Sequence, residues 1–370
     1  MKSTNSNSIY FPLFNVYRFL AAFSVVAYHI EDYKRNYKIS DRFPNALIQF
    51  IGPVAVTFFF VLSGFLITYL LLVEKEKNNS ISIKKFYLRR IFRIWPLYYF
   101  LIIIGIFILP NIPLFNPSYI DYQIYPNYIL LMYFTFFANL VLSGENILFI
   151  GHTWSIAVEE QFYLVWPWIL KYSNKYFLSM FSVIIIQYLF KGLFTLIFIK
   201  YNFHFAYLAI EFLKNTRFEC MAIGGIGAYL ILFYKEKMEL YLFYFPLRIS
   251  IIVLTIILMY FGTTIPGVHN LIYSILFCYI ITYSSRFNEI KIFPIFNYFG
   301  TISYGIYMYH PIIIIMVMHI LKKVFLPLQN NLLFNLCVYM LCFILTILVS
   351  SLSYQFLERF FINLKSKFSN

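Results

Sequence analysis

An all-α architecture is expected for this chain: a polytopic membrane helix bundle of about ten transmembrane helices, with both termini cytoplasmic. Three observations carry that expectation. Hydrophobic residues make up 61% of the 370 positions and charged residues only 12%, values that a water-soluble domain of this length does not tolerate. Apolar runs of bilayer length recur from residue 13 to residue 357 with short polar gaps between them. The Lys and Arg that give a net charge of +14 are spread over the inter-helix loops and the two tails, as the positive-inside bias produces, so the charge does not call for a nucleic-acid partner.

The expected spans are about 13–30, 50–73, 91–110, 154–171, 176–199, 218–235, 242–262, 268–285, 298–320 and 332–357. The first reads as a retained signal anchor, because no small-residue cleavage site follows it. Together the spans form one membrane domain over 1–370, flanked by a short N-terminal tail (1–12) and a short C-terminal tail (358–370). Between Glu74 and Arg93 stand seven Lys/Arg, which places that loop, and with it the N-terminus, in the cytoplasm. The run 125–143 is ambiguous. If it dips in without crossing, nine further cations from Lys171 to Lys367 gather inside, whereas if it crosses only five do, so a surface-lying or partly inserted segment is expected. Cys220, Cys278, Cys337 and Cys342 match no metal or disulfide spacing and read as packing residues, so no metal is expected.

An ionisable group at helix depth costs about 2.5–3.5 kcal/mol on insertion scales, so each one needs a partner, a water-filled cavity or a task. Arg18 and His29 stand eleven positions apart in the first span, NVYRFLAAFSVVAYHI. At about 100° and 1.5 Å per residue they share one face about 16 Å apart. Either alone could be a snorkelling or capping residue; the shared stripe points to function. KKFYLRRIFRIWPLYY opens the third span, and Arg90 and Arg93, at i, i+3, offer two planar forks to one polyanion. Lys84 and Lys85 read as ordinary anchors. In HTWSIAVEEQFYLVWP, Ser155, Glu159 and Tyr163 repeat at i, i+4 on one face, while Glu160 points about 100° away, so the two glutamates cannot share a partner. A buried salt bridge and a substrate-facing carboxylate are both open for each. Ser63-Gly64, within TFFFVLSGFLIT, reads first as a close helix contact, and Ser303, Tyr307 and His310, on one face of the ninth span, read first as a packed polar network.

Taken in order, Arg18 with His29, FFFVLSGFLIT, Arg90 with Arg93 before Trp95-Pro96-Leu97-Tyr98-Tyr99, HTWSIAVEEQFYLVWP and SYGIYMYHP resemble the acyltransferase 3 family over nearly the whole chain. The resemblance implies transfer of an acyl group, most often acetyl from acetyl-CoA as co-substrate with no bound cofactor, to a hydroxyl of a surface carbohydrate such as O-antigen, capsule or exopolysaccharide, at the cell inner membrane. It also implies that Arg18 and His29 are catalytic and that Arg90 and Arg93 meet the acyl donor. Glu159 and Glu160 join the expected catalytic set, and Ser63, Trp154, Ser155, Tyr163, Ser303 and His310 are expected to contact substrate or support those that do. Some relatives carry a fused SGNH-type hydrolase-like domain; with Asn370 just past the tenth span, none is expected here. Two features depart from the pattern: Glu358-Arg359 is followed by Phe360 where the family often has proline, and the segment after Arg217 fits only loosely.

The chemistry agrees with that resemblance. Arginines at the inner mouth suit the phosphates of acetyl-CoA, and His29 suits a general base acting on a sugar hydroxyl, with Arg18, Ser63 or Tyr163 stabilising the oxyanion. On this reading one glutamate orients His29 or the sugar and the other locks an arginine. A covalent acyl-enzyme on a serine is a rival mechanism. A transporter or flippase of an acyl or glycan intermediate would use the same polar stripe, and a purely structural scaffold is a third reading.

Overall fold

A computed structural model describes residues 10–37, 46–115, 126–141, 147–287, 289–324 and 332–366, and every regular element among them is helical. In chain order the α-helices are α1 Pro12–Asn36, α2 Ala46–Asn78, α3 Ile83–Ile103, α4 Asn127–Phe134, α5 Trp154–Tyr172, α6 Tyr176–Tyr201, α7 His204–Asn215, α8 Phe218–Phe233, α9 Lys235–Tyr241, α10 Phe245–Tyr260, α11 His269–Ser284, α12 Pro294–Thr301, α13 Ser303–Val324, α14 Leu332–Ser353 and α15 Arg359–Ser366. Pro12 opens α1 with its φ already set for a helix, and Lys34 and Arg35 close it against the negative end of the helix dipole.

Among the described residues seven helical stretches are long and apolar enough to cross a membrane, and an eighth is gained if α9 and α10, which meet at an 83° bend, count as one span. Each of the ten expected segments holds a helix, but four differ in kind. Residues 154–171 form α5, which carries Glu159, Glu160 and Lys171 and is therefore too charged to pass as a simple span. The helices over 242–262 and 268–285, α10 and α11, have 16 residues each, about 24 Å of rise against a hydrocarbon core of about 30 Å. The ninth segment is broken at Ile302 into α12 and α13. In the ambiguous run, α4 has eight residues, about 12 Å, and does not cross; residues 142–143 lie outside the described residues.

Burial separates interior helices from the lipid-facing shell. The apolar window of α13 is 78% buried and that of α2 is 61% buried, against 11% for α6, whose Leu189, Leu193, Leu196 and Ile199 are exposed. The closest packing in the bundle is α2 on α8, where a β-carbon on Gly64 would run into the Met221 carbonyl and one on Gly224 into the Val61 carbonyl. Glycine is required there because two backbones meet. The four cysteines are free, as their spacing indicated.

The C-terminal stretch is more than a tail. A π-helical turn, Tyr354–Glu358, leads from α14 into α15, which packs back against α3. The extra residue in that turn re-aims the chain, so that the apolar face of α15 covers one end of the bundle.

Candidate active site

A cavity of about 350 Å³ lies among α1, α2, α3, α5, α13 and α15. Its charged wall brings Arg18 from α1 together with Arg90 and Arg93 from α3. The i, i+3 spacing of the α3 pair turns both guanidiniums to the cavity, while Arg89, 100° away, leaves it for Glu74 at 3.1 Å. Arg18 donates to Asn15 Oδ1 at 2.9 Å, and Arg90 sits over the rings of Phe86 and Tyr163, each at 5.9 Å. None of the three arginines forms an ion pair among the described residues.

Beside Arg90 the wall is a chain of hydroxyls ending on a carboxylate. Ser63 lies 2.5 Å from the Tyr163 hydroxyl, which donates to Glu159 Oε2 at 2.9 Å. Since a carboxylate accepts, Tyr163 spends its proton on Glu159, and Ser63 must donate to Tyr163. The Ser63-Gly64 pair thus divides its work: Gly64 packs on α8 and Ser63 faces the cavity. Further along, Ser155 and Tyr307, 2.6 Å apart, line the wall and share the His152 carbonyl, at 3.3 and 3.0 Å. Ser303 opens α13 at the cavity and donates to Gly300 O at 2.8 Å.

Beyond Tyr307 three imidazoles meet. His310 lies between His29 and His152, with ring centroids 5.1 Å from each. His310 Nδ1 is 2.6 Å from the Tyr307 carbonyl. His29 Nδ1, both ring nitrogens of His152 and Nε2 of His310 are buried without a hydrogen-bond partner. Arg18 and His29 therefore serve one polar stripe, as their eleven-residue spacing indicated, but at two levels: Arg18 on the cavity wall and His29 in the histidine group.

The expectation for the two glutamates needs correction. Neither glutamate locks an arginine by an ion pair, and neither touches His29: Glu159 is held by Tyr163, and Glu160, turned away, accepts from Trp95 Nε1 at 2.9 Å. Trp154 is not on the cavity wall; it stands edge-on to Phe60 and carries the Arg217 guanidinium over its ring at 5.3 Å. The step of one residue along a helix explains both, since Trp154 and Glu160 each follow or precede a cavity-facing neighbour by 100°.

A family model described as an acyltransferase domain matches residues 12–354. The chain is a member of the acyltransferase 3 family. It is similar to the peptidoglycan O-acetyltransferase OatA of Listeria monocytogenes (33% identity over 173 residues, 45% of this chain and 25% of that protein). It is also similar to an uncharacterized protein of Haemophilus influenzae (32% over 184 residues, 46% and 72%) and to a provisionally named O-acetyltransferase of Staphylococcus aureus strain COL (26% over 337 residues, 83% and 52%). The match thus spans a quarter of the Listeria protein and about half of the staphylococcal one. No solved structure matches.

In this acyltransferase 3 chain the structure adds residues to the expected site set. His152 and Tyr304 join the site, and Ile362 reaches the cavity from α15. Arg217 is anchored by Thr57 Oγ1 at 3.2 Å on the far side of Trp154. Glu358, two per cent exposed, has both carboxylate oxygens buried without a hydrogen bond and lies 3.3 Å from where a β-carbon on Gly305 would stand. The signal for these was faint, because a single histidine or a tail glutamate carries no periodicity.

Proposed function

We propose that the protein transfers an acyl group, acetyl from acetyl-CoA, to a hydroxyl of a cell-surface carbohydrate, working as a multi-pass protein of the inner membrane with the arginine end of the bundle facing the cytoplasm. The observation that carries this reading is the cavity wall formed by Arg18, Arg90 and Arg93, three cations with no ion-pair partner among the described residues. Three guanidiniums held together in a low-dielectric bundle repel one another and favour an anion of several charges. The 3'-phosphate and pyrophosphate of coenzyme A supply that charge, and planar guanidinium forks match phosphate oxygens. The name of the Listeria relative, a peptidoglycan O-acetyltransferase, supports acetyl as the group and a glycan as the acceptor.

With the nucleotide end on the arginines, the thioester arm lies along the cavity towards Ser155, Tyr307 and the histidines. His29 takes the proton from a sugar hydroxyl, and the freed oxygen attacks the thioester carbonyl. Of the Ser155 and Tyr307 hydroxyls, one keeps its bond to the His152 carbonyl and the other turns its single proton from that carbonyl to the oxyanion. The carbon–sulfur bond then breaks, the acyl group stays on the sugar, and the coenzyme A thiolate leaves with the proton. Glu159, through Tyr163 and Ser63, keeps the intervening wall polar and ordered, and Glu160 with Trp95 fixes α5 to α3.

The test is acetyl transfer in inverted membrane vesicles given radiolabelled acetyl-CoA, followed as base-labile label in membrane glycan. The parent should transfer label and His29→Gln should lose at least about 100-fold of the rate, the usual scale for a general base. Label at the parental rate in His29→Gln would remove His29 from the chemistry. Movement of an already acylated intermediate across the vesicle, with no ester formed, would instead favour a transporter.

A further inference from the structure

The histidine group holds a device that the acyl-transfer reading does not specify. A histidine acts as a base through one ring nitrogen only when the other holds its proton, and that second nitrogen, if buried, needs an acceptor. In His29 the buried nitrogen without a partner is Nδ1, which leaves Nε2 to meet a substrate hydroxyl. Neither carboxylate that follows in sequence is an acceptor for it: Glu31 pairs with Lys34 at 2.7 Å and accepts from Tyr339, and the Asp32 side chain is 40% exposed and paired with Arg35 at 3.2 Å. Three rings pack against His29, those of Tyr28, Tyr33 and His310, and His310 presents a buried ring nitrogen with no partner.

The state of that nitrogen follows from its neighbour. His310 Nδ1 sits 2.6 Å from the Tyr307 carbonyl, which can only accept, so in the neutral ring Nδ1 carries the proton and Nε2 carries the lone pair. The carbonyl belongs to the same turn of the interior helix α13, where His310 is fully buried, so this tautomer is set by the fold and is independent of substrate. A centroid separation of 5.1 Å with the rings tilted by 36° leaves room for an ordinary nitrogen-to-nitrogen hydrogen bond when the two ring edges meet. Such bonds are often long without substrate and tighten in the reacting complex.

We propose that His310 is the positioning residue for His29: its Nε2 lone pair accepts the Nδ1–H of His29, turns the His29 Nε2 lone pair to the sugar hydroxyl, and steadies the imidazolium formed when that hydroxyl gives up its proton. The inference rests on the reading of His29 as the base. His152 also packs on His310, edge to face at 5.1 Å. Two amide replacements separate this role from a purely structural one. In His310→Asn the amide reaches only the Nδ1 position, which keeps the bond to Tyr307 and removes the acceptor. In His310→Gln the amide oxygen reaches the Nε2 position, which keeps an acceptor and gives up the bond to Tyr307.

The experiment compares steady-state acetyl transfer from acetyl-CoA by the full chain in vesicles for the parent, His310→Asn, His310→Gln and His29→Gln, each at a matched amount of folded protein. His310→Asn should lose about 100-fold in kcat with KM for acetyl-CoA unchanged, the scale on which outer partners of functional histidines act, and His310→Gln should recover at least tenfold of that loss. A glutamine variant no better than the asparagine one, or both at the parental rate, would overturn the proposal. Parental activity in His29→Gln would overturn the base reading itself and is a separate outcome.

Discussion

Glu159 and Glu160 stand side by side in α5, and a rotation of 100° sends them to different partners. Glu159 faces the cavity and takes the Tyr163 proton at 2.9 Å, while Glu160 faces α3 and takes the Trp95 proton at the same distance. That divergence was legible in the sequence, because it follows from helix geometry alone, and so was the tyrosine one turn along from Glu159. The partner of Glu160 was not, because it lies on another helix, 65 positions away in the chain. The arrangement separates packing from chemistry. Trp95→Phe leaves a buried carboxylate oxygen without its donor and should lower stability by about 1–3 kcal/mol, measured as earlier thermal aggregation in detergent, with KM for the donor unchanged. The histidine group was the least legible feature, since His29, His152 and His310 come from three separate segments and none has a spacing that announces the others.

At the scale of elements, the crossing of α2 and α8 sets how closely the site helices approach. Gly64 and Gly224 each abut the other helix's backbone, whereas Gly192 in α6 has nothing within 4 Å of its would-be β-carbon. Gly64→Ala should therefore cost about 1–3 kcal/mol or more from overpacking, while Gly192→Ala should be neutral or slightly stabilising; fluorescence-detected size-exclusion after a heating series checks both. The small-residue contact was readable from Ser63-Gly64, since glycine beside an apolar run signals close approach. The ends of elements were not. The first span was expected to close near residue 30, yet α1 continues to Asn36 because Glu31 and Lys34, charges that looked like a loop, are buried as an ion pair at 2.7 Å, and Tyr339 also donates to Glu31. The stretch after Glu358 read as a polar tail because it is short. It forms α15, which packs on α3 and brings Ile362 to the cavity while Phe360 stays exposed.

Across the whole molecule, hydropathy alone gave the class, an all-helical membrane bundle, because the solvent of the helices is written in their composition. It could not order the helices by depth, since interior and lipid-facing helices are similarly apolar: α13 and α6 differ sevenfold in buried share, yet both pass as spans. What distinguishes the interior is where the few charges go. Arg18, Arg90 and Arg93 converge on a cavity that also holds the Ser155 and Tyr307 hydroxyls, and the rings of His152 and His310 pack behind Tyr307. The central claim is that this arginine wall is the acyl-CoA site, and equilibrium binding of coenzyme A to the purified protein in detergent tests it most directly. Each of Arg18→Ala, Arg90→Ala and Arg93→Ala should weaken binding about tenfold or more, with a smaller loss when dephospho-coenzyme A replaces coenzyme A in the parent, because a charge-assisted hydrogen bond contributes about 1.5–3 kcal/mol. Parental affinity for coenzyme A in all three variants would contradict the claim.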